Sequence, residues 1–471
     1  MRVDVTSHPP PPAFEPLRRH PAVRALLAAC GEAECHLVGG ALRDHALGLG
    51  GARSGQTRRE SIDTRRVPVR RGARRGWDLD AVVAGHGREI AERLAAALPA
   101  RLVPLGGKEF AAYRLVGAEV TVDLWDREGA PLASDLARRD FTVNSFALEL
   151  RGGGLIDPFG GIADLARRVL RATTPASFAG DPLRVLRLAR LLVTLPGFTA
   201  EPATLELARQ AAPRLSEVAS ERVREELWLL FDHPRAHLGL RALAALGIYP
   251  RLWLLPHQTA DWPSAGQGPG APQSIAAAAA AEIEAVPECA AELAGLAPAA
   301  AGEIDATAAR LAASFAHLPG TAGGPAAALR RWGEAGYVTA KVLAEVAPLL
   351  DEDALPADEA TRRHFLHRAG RRWATIVCSL GARAAGEPGR QRWRRDVAPL
   401  VELARREGEN LFHPPRLLTG SEVQDLLGIP PGPEIGRALA ALTAAQVEGR
   451  VHTREEAIEL LTRRAHQQGS S

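Results

Sequence analysis

Apolar positions along the chain follow two periods, and the change from one to the other near residue 175 predicts where one architecture gives way to another. "HPAVRALLAAC" (20–30) has helical spacing. "ECHLVGG" (34–40) reads as a strand entering a Gly-Gly turn, and "ALRDHALGL" as the helix that follows. "DLDAVVAG" is a second strand, "REIAERLAAAL" a helix, and "AEVTVDLWD" a third strand. In that third strand Val120, Val122 and Leu124 alternate with Thr121, Asp123 and Trp125, so Asp123 points away from the apolar face. With "RRDFTVNSFALEL" and "GLIDPFGGIADLARRVLRA" these segments make a small α+β domain of about 150 residues.

Beyond residue 175 the strand signals stop, and "DPLRVLRLARLLVTL", "EPATLELARQAAPRL" and "SERVREELWLLF" read as successive helices. The expected fold is therefore an α+β N-terminal domain, a small mixed sheet with helices, followed by an all-α multi-helix body and tail. The boundaries read as a disordered N-terminus over 1–20, the α+β domain over 21–172, and a helical neck and body over 173–256. An Ala/Pro/Gly-rich stretch of linkers and helices follows over 257–330, and a helical C-terminal body and tail over 331–471. Residues 51–76 interrupt the first domain with nine arginines against two acids and almost nothing to bury. They read as a mobile basic loop, a solvated insertion in preference to an RNA contact.

Composition narrows the classes without choosing one. A chain of 471 residues, 46% hydrophobic and 24% charged, is long enough for several cores. The net charge of +3 permits an anionic partner without demanding one. Cys30, Cys35, Cys289 and Cys378 have no C-x-x-C spacing, which argues against a zinc site or disulfide framework. No apolar leader and no uncharged membrane-length run is present, so the expected location is the cytoplasm, with no membrane partner.

The chemistry concentrates in the first domain. Asp78 and Asp80, at i and i+2 on a strand, project together, and a carboxylate pair suits Mg²⁺ that completes its shell with water and phosphate. Asp123 reads either as a third carboxylate converging on that pair, as a two-metal site requires, or as an exposed strand residue. Gly39 and Gly40 allow close backbone approach to a phosphate ahead of a helix, and Arg43 lies within that helix's first turn. The stretch is neither a Walker A loop nor a dinucleotide fingerprint.

"LVGGALRD", "DLD", "DLARRDFTVNSFAL", "LIDPFGGIADL" and "GDPLRVLRLAR" occur in the order found in the class II tRNA nucleotidyltransferase and poly(A) polymerase family, which the chain resembles from about 35 to 255. The tail over 417–463 is similar to that family's C-terminal region. The resemblance implies that Asp78 and Asp80 bind two Mg²⁺ ions; Asp123 joins them as a catalytic candidate on the strand alternation alone. It implies that Gly39, Gly40 and Arg43 grip the nucleoside triphosphate, and that Arg139, with Asp140 and Asn144 of the same motif, contacts the nucleotide. Asp181 and Arg184 match the pair that reads the base edge, with Arg187 and Arg190 following at i+3 and i+6, so all three arginines are expected broadly along one helix face. Asp accepts from an exocyclic amine and Arg donates to ring acceptors, a set that suits CTP and ATP and disfavours UTP and GTP.

The implied activity is CCA addition to the 3′ end of tRNA from CTP and ATP, with a CC-adding or A-adding partial enzyme, a poly(A) polymerase acting on other RNA 3′ ends, or a silent RNA-binding descendant as alternatives. Three features depart from the family. Gly180 stands where an acidic residue usually precedes the base-reading Asp. The basic insertion is long, and "LGGKEFAAYRLV" (105–116), read as the flexible region before the third strand, matches neither branch.

Overall fold

The computed structural model describes residues 7–8, 14–48, 77–105, 112–249, 251–254, 272–318, 324–352, 354–384 and 386–468. The insertion at 51–76 lies outside them. The chain divides into two compact units, one running to Leu230 and taking in Leu246–Ile248, the other comprising Phe231–Ala245 and the residues from Tyr249 onward. The helices just beyond residue 173 therefore belong with the sheet.

The first unit is built on a mixed sheet of β1 (Ser7–His8), β2 (Cys35–Val38), β3 (Trp77–Val83), β4 (Arg101–Leu105), β5 (Ala112–Val116), β6 (Val120–Asp126), β7 (Ala147–Glu149) and β8 (Leu155–Ile156), in the order β1-β8-β7-β2-β3-β6-β5-β4. Only β3 and β6 run parallel, and the other neighbours are antiparallel. The α+β class expected from the sequence is present, with two corrections. Residues 14–20, read as part of a disordered N-terminus, are ordered: Glu15–Arg18 is helical, and Phe14 and Leu17 are buried in the main core. Residues 112–116, read as flexible, form β5, and 101–105 form β4, so a hairpin partner precedes the strand that carries Asp123.

The helices of this unit are α1 (Glu15–Arg18), α2 (Pro21–Cys30), α3 (Gly40–Ala46), α4 (Gly87–Ala97), α5 (Leu132–Ala137), α6 (Gly161–Arg167), α7 (Ser177–Gly180), α8 (Arg184–Thr194), α9 (Pro202–Ala211) and α10 (Ser220–Phe231). Alternation divides the sheet's two faces. Leu79, Ala81, Val83, Val122, Leu124 and Leu115 pack with Val23 and Leu26 of α2 and with Ile90, Ala91 and Leu94 of α4 in the main core. Among the described residues the opposite face carries a small cluster, Val38, Val82, Leu132, Leu136 and Ala147. The second face is thus left free for chemistry over much of β3, β6 and β5.

The second unit is helical, as expected. The Ala-rich segment supplies a long helix, Pro272–Leu296, whose Ile275, Ile283, Val286 and Leu293 are buried, and a second one at Ala306–Ala316. Trp253 stacks on Trp332 with centroids 5.3 Å apart and donates its indole N–H to Ser314 Oγ at 2.9 Å. In the tail Thr419 and Glu422 form a capping box ahead of Gly420–Leu427.

Asp126 closes β6 onto α4. The residue before α4, His86, has φ 58° and gives no side-chain cap, and Asp126 takes over the role by accepting from the backbone N–H of Gly85 and Gly87, each at 2.8 Å. Asp126→Ala is expected to destabilise the protein by about 2 kcal/mol, read as a lower urea midpoint. An unchanged midpoint would show that water replaces these bonds without cost.

Candidate active site

Register decides where the carboxylates meet. The parallel pairing sets Asp80 of β3 directly opposite Asp123 of β6, with Asp78 one pleat away beside Thr121. On the other side Val38 pairs with Asp80, so the chain leaves β2 into Gly39 and α3 beside the carboxylates. Gly39 has φ 80°, and a Cβ there would stand 2.4 Å from Asp80 Oδ2, so both the backbone conformation and the space require glycine.

Asp78 is exposed, Asp80 half-buried and Asp123 buried. Burial pushes the Asp80 carboxyl up to about 6; Arg139 and Arg187 draw it down, whereas Asp78 and Asp123 push it further up. Even with those arginines near it, a carboxylate so placed is left with its charge under-compensated, which is the condition a divalent cation relieves, and the Asp78–Asp80 pair fits Mg²⁺ as its ligands. Asp123 is the exception to simple convergence. Arg114, its register partner on β5, donates to both of its oxygens at 2.7 and 2.6 Å. Among the described residues no group of three or more His, Cys, Asp or Glu side chains is gathered to hold a metal. The third carboxylate therefore lies in the right row but is held by arginine, and it is not an exposed strand residue.

A second set of polar contacts ties the Gly-Gly turn to α8. Arg43 is buried rather than open to solvent. Its Nε donates to Asp44 at 2.8 Å and its Nη1 to Asn144 Oδ1 at 2.7 Å. Asn144 Nδ2 donates to Asp140 Oδ1 at 2.9 Å, and Arg187 Nε lies 3.1 Å from Asp140 Oδ2. Burial raises the Asp140 carboxyl, but Arg187, Asn144 and the Phe141 N–H outweigh it and hold the group below its ordinary value. Arg139 is anchored by Asp135, one turn earlier, at 3.2 Å.

The predicted base-reading helix is present, and its four polar residues separate into four situations. Asp181 stands just before α8, accepting from the Leu183 N–H at 3.3 Å and from Arg222 of α10 at 2.8 Å. Arg184 donates to the carbonyls of Arg139 at 3.1 Å, Ser177 at 3.0 Å and Arg138. Arg187 faces Asp140. Arg190 is a correction to the expected arginine face, because it is buried and its Nε donates to the buried Glu226 at 2.6 Å. At i+6 it has rotated off the face that Arg184 presents, into the packing with α10. Gly180 has open space around any added Cβ, so the missing acidic side chain is not forced by sterics.

Residues 35–171 match the poly A polymerase head domain, and residues 197–261 the probable RNA and SrmB-binding site of polymerase A. A CC-adding tRNA nucleotidyltransferase from Geobacter sulfurreducens is 30% identical over 421 residues, 83% of this chain and 89% of that protein. The chain belongs to the tRNA nucleotidyltransferase family. An A-adding tRNA nucleotidyltransferase from Deinococcus radiodurans is 32% identical over 397 residues, 78% of this chain and 87% of that one. The fold is also that of the Bacillus stearothermophilus CCA-adding enzyme in complex with CTP, with TM-score 0.63, 23% identity, and coverage of 98% and 99% of the two chains. Nucleotidyltransferase activity is thus established at the level of the family.

Several residues that shape this tRNA nucleotidyltransferase site escaped the sequence reading. Arg114 had a signal, because "AYRLV" alternates and precedes an alternating strand by a short turn, which places Arg114 in hairpin register with Asp123. Asp135 lies four residues before Arg139, a helical spacing. Arg222 and Glu226 had no signal beyond their own i,i+4 spacing on α10. In EDTA, the Tm of Asp80→Asn is expected to exceed that of the wild type by a margin that widens from pH 4.5 to 6.5 and then levels off. The sign follows because a folded-state pKa above the unfolded one penalises the fold as pH rises through that interval. A margin independent of pH would show that burial of this carboxylate carries no cost.

Proposed function

We propose that the protein transfers CMP and AMP from CTP and ATP to the 3′ end of tRNA, building the CCA terminus. The observation that carries this reading is the register of Asp78, Asp80 and Asp123 beside the Gly39–Gly40 turn, with the α8 residues brought to the same site. Asp78 and Asp80 would hold two Mg²⁺ ions, which when bound lower the pKa of the acceptor hydroxyl and neutralise triphosphate charge. Arg139 and Arg187 offset charge around Asp80, and Gly39 lets the triphosphate approach the strand without a side chain in the way. Asp181 accepts from the exocyclic amine that CTP and ATP share, and Arg184 donates to the adjoining ring acceptor. Both exchange a present internal partner, Arg222 for Asp181 and backbone carbonyls for Arg184, for the base. Arg190 supports the helix through Glu226. The helical residues after the head hold the tRNA through its backbone and shape, so binding weakens with salt.

A second reading has a specific observation behind it. The relatives from Geobacter and Deinococcus that align along most of the chain are named CC-adding and A-adding enzymes. Three tRNA transcripts, ending before CCA, after C and after CC, separate the readings when incubated with Mg²⁺ and CTP, ATP or both, with products sized on a gel. CCA completed on all three is expected. A stop at CC, or A added only to the last, would establish a partial enzyme, and a long A ladder a poly(A) polymerase. Asp78→Ala and Asp80→Ala should each lower turnover by roughly two orders of magnitude or more, and near-normal rates in both would remove the metal assignment.

A further inference from the structure

Among the described residues, five large apolar side chains are exposed, and two of them lie on the site face of the sheet: Val116 at 38% and Trp125 at 39%. A single exposed apolar residue needs no explanation. Trp125 is different because of its position. It follows Asp123 by two residues on β6, so both side chains leave the same face, about 7 Å apart along the strand. It pairs with Val82 of β3 and Ala112 of β5, so it sits inside the sheet rather than at an edge. Ladders on both sides and the Asp126 bonds to Gly85 and Gly87 fix its backbone. Among the described residues no ring or guanidinium stacks on it.

The order of strands says what such an indole would meet. The Gly39–Gly40 turn, where the triphosphate is placed above, leaves β2 on one side of Asp78 and Asp80. Trp125 lies across those carboxylates, one strand beyond and one pleat further on. Nucleotidyl transfer needs the attacking and leaving oxygens roughly in line, so the acceptor arrives from the side opposite the pyrophosphate. That side is β6, β5 and β4, where the exposed Arg101 of β4, in register with Val116, shares the face and complements a phosphate backbone, while Arg114 is held by Asp123. We propose that Trp125 is a stacking platform for the terminal base of the acceptor's single-stranded 3′ end. The inference rests on the nucleotidyl-transfer reading. It adds to it a rigid, base-tolerant contact that keeps the acceptor terminus beside Asp123 whichever base that terminus carries.

The test uses the full chain and a tRNA transcript ending before CCA, alongside the same transcript with its last nucleotide abasic. Trp125→Ala should raise the KM for the intact transcript about tenfold, within the range for one base stacked on an aromatic side chain, while the KM for CTP moves less than twofold. Trp125→Phe should recover most of the loss. The abasic transcript should cost the wild type a similar factor and Trp125→Ala almost nothing, a pattern that a merely structural role would not produce. An unmoved acceptor KM in Trp125→Ala, or an equal abasic penalty in both proteins, overturns the proposal and leaves the transfer reading intact. Should the wild type transfer no nucleotide, that reading fails. The platform is then tested by fluorescence anisotropy with a labelled short single-stranded RNA, where equal affinities of wild type and Trp125→Ala overturn it.

Discussion

The parallel pairing of β3 with β6 forces Asp80 against Asp123 with Asp78 a pleat away, and the first unit is arranged around the cost of that row. Like charges so close are unfavourable unless positive charge stands among them. Three elements supply it, none adjacent in sequence to another. Arg114 comes from β5, Arg139 from the turn after α5, and Arg187 from α8. The sheet is therefore electrostatically incomplete without α8. This explains in physical terms why the compact unit extends to Leu230 rather than ending where the strand signals stop.

The same arrangement makes the pocket responsive. Every cation predicted to touch the nucleotide already has an internal partner: Arg43 has Asp44 and Asn144, Arg139 has Asp135, and Arg187 has Asp140. The chain of contacts Arg43–Asn144–Asp140–Arg187 joins the Gly39–Gly40 turn to α8 through the "RRDFTVN" segment. Charges held in this way lose little side-chain entropy when a ligand arrives, and their directions are set beforehand. On the proposed reading, a ligand that draws on one member would alter the partner of the next, a physical route of communication between triphosphate and base.

Much of this was legible in the sequence, for reasons that differ from residue to residue. Asp78, Asp80 and the outward direction of Asp123 follow from the two-residue period of a strand, which local alternation reveals. The Gly-Gly turn is legible because Gly39 needs both a positive φ and the absence of a Cβ. What failed depends on non-local pairing. "AAYRLV" reads as part of a flexible region despite its alternation, because half of its meaning, the Arg114–Asp123 pair, lies in a neighbouring strand. Arg190 looked like Arg184 and Arg187 because the helix period groups them, and only the packing of α10 shows that Glu226 takes it inward. Periodicity gives the face of an element, whereas tertiary contact decides which end of that face stays wet.

Base selection draws both lessons together. Gly180 leaves open space where an acidic side chain would fit, so nothing in the local packing compensates for its absence, and on the proposed reading accepting from an amine would fall to Asp181 alone among the residues of that motif. Asp181 is held by Arg222, on α10, the helix that also buries Arg190 through Glu226. One helix thus fixes the partner of Asp181 and the inner anchor of α8. On the proposed reading, its setting against α8 would determine how readily Asp181 exchanges an arginine for an amine. The determinant of which base is accepted would then lie in the packing of α8 on α10 as much as in the identity of Asp181 and Arg184.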